Sequence, residues 1–219
     1  MSSRRFELIV FDWDGTLMDS TGAIVASIQA AARDLGLAPP SAARARHIIG
    51  LGLIDALRHA LPDLPAERYQ DVALRYRQHY MARDQDLLLF EGAAELIAEL
   101  AQAGYQLAVA TGKTRKGLDR AFEVSGLGPR FHASRCADEC HSKPHPQMLE
   151  ELMAEFGVGP ELTLMIGDTT HDLLMARNAG VAALGVAYGA HSRETLEAQD
   201  PLYCAANVAE LAAWLRQQA

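Results

Sequence analysis

Four short apolar runs, each bounded by turn-forming residues, limit what this chain can fold into more than any other feature. They are FELIVF (Phe6–Phe11), QLAVA (Gln106–Ala110), LTLMI (Leu162–Ile166) and AALGVAY (Ala182–Tyr188). Three of them lack polar alternation, and the first has only Glu7. A strand that is apolar on both faces must be covered on both faces, which is the condition of a parallel sheet between two helical layers. Segments of helical period separate the runs. AAELIAELAQAG repeats Leu96, Ile97, Leu100 and Ala101 and stops at Gly104; PQMLEELMAEFG repeats Met148, Leu149, Leu152, Met153 and Phe156 and stops at Gly157. The alternation predicts an α/β fold with a doubly wound parallel sheet.

One region breaks that pattern. Between Asp19 and Leu88 no strand is predicted, while Ile24, Ile28, Ala31 and Leu35, and then Tyr69, Val72, Tyr76 and Tyr80, recur at helical spacing. A connection of roughly seventy residues is far longer than an ordinary loop and implies a folded unit of its own. The expected organisation is therefore a core of residues 1–18 and 89–219, with a helical unit, residues 19–88, inserted after the first strand.

Charge and composition exclude several function classes. With 20 Lys and Arg against 28 Asp and Glu, the formal net charge is −8, and no basic cluster appears that would suit nucleic acid. No apolar run approaches the ~20 residues that span a bilayer. The start, MSSRRFELIV, lacks the apolar stretch of a signal peptide. Three cysteines, Cys136, Cys140 and Cys204, make no disulfide framework. The expectation is a cytoplasmic protein with no nucleic-acid or membrane partner. A small anionic substrate remains compatible, since a local site can be positive in an acidic protein.

Three of the apolar runs end in polar residues: Asp12-Trp13-Asp14-Gly15-Thr16, Thr111-Gly112-Lys113, and Gly167-Asp168-Thr169-Thr170-His171-Asp172. In parallel sheets, ligands gather beyond the carboxyl ends of the strands. Alternation along a strand places Asp12 and Asp14 on one side with Trp13 opposite. Asp168 and Asp172, four apart, are expected on one face of the following helix. Converging carboxylates repel unless a cation neutralises them, and an oxygen-only ligand set suits Mg²⁺. One carboxylate could then act as nucleophile and another carry protons. The structural alternative is an Asx-turn at Asp12-Asp14-Gly15 and an acidic first helical turn at Asp168 to Asp172. Lys143, in HSKPHP, lies on a segment stiffened by Pro144 and Pro146. It reads either as a phosphate-neutralising ammonium or as a surface loop lysine.

In this order, DWDGT, ATGK, SKPHP and GDTTHD resemble the four motifs of the haloacid dehalogenase-like hydrolase superfamily. The helical insert resembles its small cap. The most similar branch holds phosphoglycolate phosphatases and beta-phosphoglucomutases. The resemblance implies a Mg²⁺-dependent phosphatase of small phosphorylated metabolites. Asp12 would attack phosphorus and form an aspartyl-phosphate, and Asp14 would protonate the leaving oxygen and then activate water. Asp12, the Asp14 backbone carbonyl and Asp168 would bind Mg²⁺. Thr111 and the Gly112 N–H would hold phosphoryl oxygens, Lys143 would neutralise them, and Asp172 would support Lys143 or the metal. Dehalogenase members lack the second aspartate, because a halide leaving group needs no proton; Asp14 thus favours phosphate-ester chemistry. Two rivals stand: a sugar phosphomutase, and a non-catalytic phosphate-binding protein on the same scaffold.

Other signals read as structural. His132, Cys136, Cys140, His141 and His145 crowd together, but C-x₃-C-H matches no common zinc spacing, and they read as loop thiols and imidazoles. Tyr69, Tyr76 and Tyr80 read as the insert's own core. His47, His59 and His79 read as satisfied or exposed helix residues. Gly50 and Gly52 fall where related caps carry a substrate-contacting turn, and serve equally well as helix-to-helix punctuation.

Overall fold

The computed structural model describes residues 5–84 and 87–218. Six parallel strands form one sheet: β1 (Leu8–Phe11), β2 (Gln106–Thr111), β3 (Ala133–Cys136), β4 (Thr163–Gly167), β5 (Ala182–Val186) and β6 (Tyr203–Ala205), in the order β3-β2-β1-β4-β5-β6. The register aligns Phe11 with Val109 on one side and with Ile166 on the other. β4 therefore ends one residue beyond β1 and β2 two residues beyond it, all at the same edge of the sheet.

The sheet divides two cores by strand alternation. Ile9, Phe11, Leu107, Val109, Leu164 and Ile166 face a layer made by α5 (Ala93–Gln102), α6 (Arg115–Ser125) and α10 (Val208–Gln218). Leu8, Val10, Ala108, Ala110 and Met165 face α7 (Gln147–Phe156) and α8 (Thr170–Asn178). This is the α/β architecture expected from apolar strands covered on both sides. The sequence does not announce β3 and β6. They are the two outer strands, and their sequences ASRC and YCA carry no apolar run. β3 also corrects the reading of Cys136 as a loop thiol: it is a fully buried strand residue, and burial pushes its thiol up to about 12.

After β1 the chain forms α1 (Thr21–Asp34), α2 (Ala42–His47), α3 (Leu53–Ala60) and α4 (Tyr69–Met81). These helices bury a cluster of their own, including Ile24, Ile28, Ala31, Ile48, Leu57, Tyr69 and Val72. Where the chain leaves and returns, Met18 and Leu89 pair as an antiparallel bridge, Asp19 N–H donates to Leu88 O (2.9 Å) and Phe90 N–H to Leu17 O (2.9 Å). Among the described residues, no helix is long and apolar enough to cross a membrane.

Candidate active site

β1 ends at Phe11, and burial of Trp13 fixes the turn beyond it. The indole is fully buried and stands edge-on to Phe122, 5.2 Å between ring centroids. The Trp13 carbonyl accepts from the N–H groups of Leu17 and Met18, both at 3.0 Å, which curls the chain. Gly15 adopts φ +80°, and a side chain there would run into the Asp168 carboxylate. Glycine is needed at this turn for its conformation and for its lack of bulk.

Asp12, Asp168 and Asp172 converge, with one oxygen from each within 4.8 Å of the others, and all three are buried. Asp168 does not lie on the helix face expected for it. It follows the end of β4, ahead of the α8 N-cap Thr169, and its oxygens accept from Thr16 Oγ1 (3.1 Å) and Ala190 N–H (2.7 Å). Asp172 does sit in the first turn of α8 and closes a capping box with Thr169, whose N–H and hydroxyl both donate to its Oδ2. Its Oδ1 accepts from Lys143 Nζ at 2.6 Å. It is thus both a helix-cap acid and the partner of the lysine.

Lys143 is not a surface residue. Its side chain is fully buried, 2.9 Å from Asp12 Oδ1 and 2.6 Å from Asp172 Oδ1. Burial alone would pull its pKa down; the charges of Asp12 and Asp172 outweigh that and hold it above the ordinary lysine range. Asp12 lies within ion-pair distance of Lys143, but neither carboxylate oxygen receives a properly oriented hydrogen bond. Burial pushes Asp12 up to about 7; Lys143 opposes the rise and Asp172 adds to it. Asp168 is raised well above the carboxylate range, first by burial and then by the charges of Asp12 and Asp172. If all three ionised, three carboxylates against one ammonium would leave two uncompensated negative charges in a buried site, which is why burial holds Asp12 and Asp168 up. A divalent cation with a preference for oxygen ligands fits that donor set and the orphaned Asp12 oxygens.

The Asp14 carboxylate stands apart from this group. Its Oδ1 lies 3.0 Å from Lys113 Nζ and accepts from Ser20 Oγ at 2.6 Å. What the resemblance assigns to Asp14 as a metal ligand is its backbone carbonyl. The two aspartates pair with different lysines, Asp12 with Lys143 and Asp14 with Lys113, so the shared placement expected from strand alternation does not give them a shared partner.

The turn between α2 and α3 covers the site. A Cβ on Gly50 would lie 3.2 Å from Thr169 Oγ1 and 3.9 Å from Asp12 Oδ2, and Gly52 N–H donates to Ser142 Oγ at 2.8 Å. Thr111, buried at the end of β2, accepts from Lys113 N–H (3.2 Å) through its hydroxyl oxygen. A Cβ on Gly112 would meet Leu51 O at 2.6 Å and Gly50 O at 2.7 Å, so the covering turn rests directly on the Gly112 backbone.

Several residues found here have no functional role in the sequence reading. Tyr76 and Tyr80 stack at 5.8 Å, and the Tyr80 hydroxyl accepts from Lys113 Nζ at 3.0 Å; Tyr69 is buried in the insert's cluster, and Tyr76 and Tyr80, partly buried, pack against it. His47 belongs to a seam with the core. Its ring stacks on His191 at 5.1 Å, and its carbonyl accepts from His171 Nε2 at 2.8 Å and His191 Nε2 at 3.2 Å. Burial lowers the pKa of His171 and brings His191 to about 4, so both act as neutral donors. Only the position of Lys113, directly after Thr111-Gly112 at a strand end, signals a site residue in the sequence. Among the described residues, the Cys136-to-His145 segment supplies no convergent group of three metal-ligating side chains.

The sequence model of the haloacid dehalogenase-like hydrolase family matches residues 9–186. A Dickeya dadantii protein named probable phosphatase IndB is 40% identical over 200 residues, covering 89% of this chain and 86% of that one. The phosphoglycolate phosphatase of Vibrio vulnificus is 30% identical over 220 residues, covering 96% of each chain. The crystal structure of a Haemophilus somnus protein described as a predicted phosphoglycolate phosphatase superposes with a TM-score of 0.86 at 25% identity, covering 97% of this chain and 99% of that one.

Proposed function

We propose that this chain, which belongs to the haloacid dehalogenase-like hydrolase family and is a phosphoric monoester hydrolase, uses Mg²⁺ to hydrolyse a small phosphorylated metabolite, with phosphoglycolate the first substrate to test. The observation that carries the reading is the buried group of Asp12, Asp168 and Asp172 around Lys143, two positive charges short of balance when all three carboxylates are ionised, in which the Asp12 oxygens receive no oriented hydrogen bond. Asp12, Asp168 and the Asp14 carbonyl would hold the cation, which would offset charge on the phosphoryl oxygens. Phosphoryl transfer is mainly a matter of positioning and charge neutralisation.

Each remaining role falls to a residue of this chain. Asp12 attacks phosphorus and carries the phosphoryl group. Lys143, locked by Asp172, holds Asp12 in place and offsets phosphoryl charge. Thr111 uses its hydroxyl oxygen to accept from Lys113 N–H, which leaves its O–H free to donate to a phosphoryl oxygen. Asp14 gives its proton to the leaving oxygen and takes one from the water that cleaves the aspartyl-phosphate. Residues 19–88 act as a cap that excludes water from the transfer and, through Gly50 to Gly52, contacts the leaving group.

The test is phosphate release from a panel of phosphomonoesters that includes phosphoglycolate, with Mg²⁺ and with EDTA. Turnover that needs Mg²⁺ or Mn²⁺ supports the reading. Undiminished turnover in EDTA would remove the metal from it, and failure on every phosphomonoester would remove the substrate class.

A further inference from the structure

Asp14 is held in an uneven way. Among the described residues, its hydrogen bonds fall on one oxygen: Oδ1 accepts from Ser20 Oγ at 2.6 Å, lies 3.0 Å from Lys113 Nζ, and takes a long contact of 3.4 Å from the Tyr80 hydroxyl. Among the described residues no hydrogen bond is donated to Oδ2. The Lys113 ammonium also donates to Tyr80 Oη at 3.0 Å and lies 4.7 Å from the centroid of the same ring. Its side chain is only 10% exposed; burial pulls its pKa down, but Asp14, together with Tyr76 and Asp84, outweighs that and holds it above the ordinary lysine value. Lys113 is therefore engaged on two sides already. Ser20 and Tyr80 belong to the helical segment, while Lys113 and Asp14 belong to the sheet ends. Nearby, Arg120 of α6 pairs with Asp84, just beyond α4, across the same seam.

We propose that Lys113 and Tyr80 are positioning residues for Asp14: they anchor one carboxylate oxygen so that the other is the proton-transferring oxygen, and because Tyr80 lies on α4 the anchor is complete only when that helix rests on the core. This rests on the phosphatase reading above and adds which side chains aim its acid–base group. Neither residue touches the phosphoryl group in this role. Tyr80 offers its ring to the ammonium and its hydroxyl to the same carboxylate oxygen, so a lysine-to-tyrosine contact across the seam sets the direction of a carboxylate on the core.

The experiment measures the burst of leaving group in rapid-quench runs, with a simple alkyl phosphate and with nitrophenyl phosphate. The variants are Lys113→Met, Lys113→Arg and Tyr80→Phe, each alone and combined with Asp14→Asn. General acid–base help is typically worth ~10²–10⁴-fold, and mis-aiming the carboxylate should forfeit part of it. Lys113→Met should slow the alkyl ester by about tenfold to a hundredfold and the nitrophenyl ester less, since nitrophenolate needs little protonation. KM should hold within about twofold, as expected when an interaction acts in the transition state. Lys113→Arg should recover much of the loss. Tyr80→Phe keeps the ring under the ammonium and should show a smaller loss of the same leaving-group pattern, which tests the role even if Lys113→Met folds poorly. In the Asp14→Asn background neither change should cost anything further.

Equal slowing of both esters, a change confined to KM, or a full additional loss on top of Asp14→Asn would overturn the positioning role. Failure of the acid–base reading and failure of the positioning role give different results. If Asp14→Asn alone leaves turnover intact, the acid–base reading itself fails; if Asp14→Asn is slow but the Lys113 and Tyr80 effects add to it, only the positioning proposal fails.

Discussion

Replacing Asp12, the residue proposed to attack phosphorus, should make the metal-free protein more stable. Asp12 is 1% exposed, and burial holds its carboxyl at about 7 against an ordinary 3.8. Between those values the folded protein binds a proton that the unfolded chain does not, so this group's contribution to stability falls as pH rises from 3.8 to 7 and then levels off. At neutral pH, ionising Asp12 in the fold costs roughly 4 kcal/mol. Asp12→Asn keeps the shape and removes the charge. Its amide has Asp168 and Asp172 as acceptors nearby, and Lys143 keeps Asp172. In EDTA at neutral pH the variant should gain about 2–4 kcal/mol, or roughly 5–15 °C in Tm for a chain of this size. Differential scanning calorimetry from about pH 5 to pH 8 reads both the gain and its growth with pH. Added Mg²⁺ should stabilise the wild type and narrow the gap, while phosphatase turnover of the variant is lost throughout. A variant that melts below the wild type in EDTA at every pH would refute this reasoning, because Asp12 would then be a net stabilising charge.

Lys143→Met leaves Asp12 and Asp172 buried without their ammonium, a loss of about 3–5 kcal/mol that a thermal melt in EDTA should show and Mg²⁺ should partly restore. Gly112→Ala places a methyl 2.6–2.7 Å from the backbone oxygens of Leu51 and Gly50 and must lift the covering turn, so steady-state kinetics should show a raised KM and lowered kcat. The stability change should stay within about 1–3 kcal/mol of overpacking. Replacing residues 19–88 with a short linker should abolish turnover of the preferred metabolite while a nitrophenyl ester still reacts slowly; retained selectivity would place substrate choice in the sheet ends.

How far each element is legible in the sequence depends on where it sits. β1, β2, β4 and β5 occupy the middle of the sheet, are sandwiched by helices, and so carry the apolar runs that announce a strand. β3 and β6 lie at the edges, where Arg135 can reach Glu151 and Tyr203 meets solvent, so their few residues show no run to read. Helical period places Tyr69, Tyr76 and Tyr80 on one stripe but does not say what docks against it; one tyrosine fills the insert's core while another reaches Asp14. Spacing also misplaces Asp168, because a helix-face argument assumes the helix has begun, and α8 begins at Thr170, after its N-cap Thr169. Asp12, Asp14, Thr111 and Asp172 are visible in the sequence because each stands at or near a strand end in a fold that gathers those ends together; Lys143, taken by itself, reads as a surface loop lysine, and only the resemblance of its motif to the family's singles it out.

The central claim is that Asp12 carries the phosphoryl group. Rapid-quench of the wild-type enzyme with an excess of nitrophenyl phosphate and Mg²⁺, followed by digestion and mass spectrometry, reads it directly. The peptide containing Asp12 should gain the mass of one phosphoryl group, hydroxylamine should remove it, and Asp12→Asn should never acquire it. Steady phosphate release with the label on another residue, or with no label at any quench time, would contradict it.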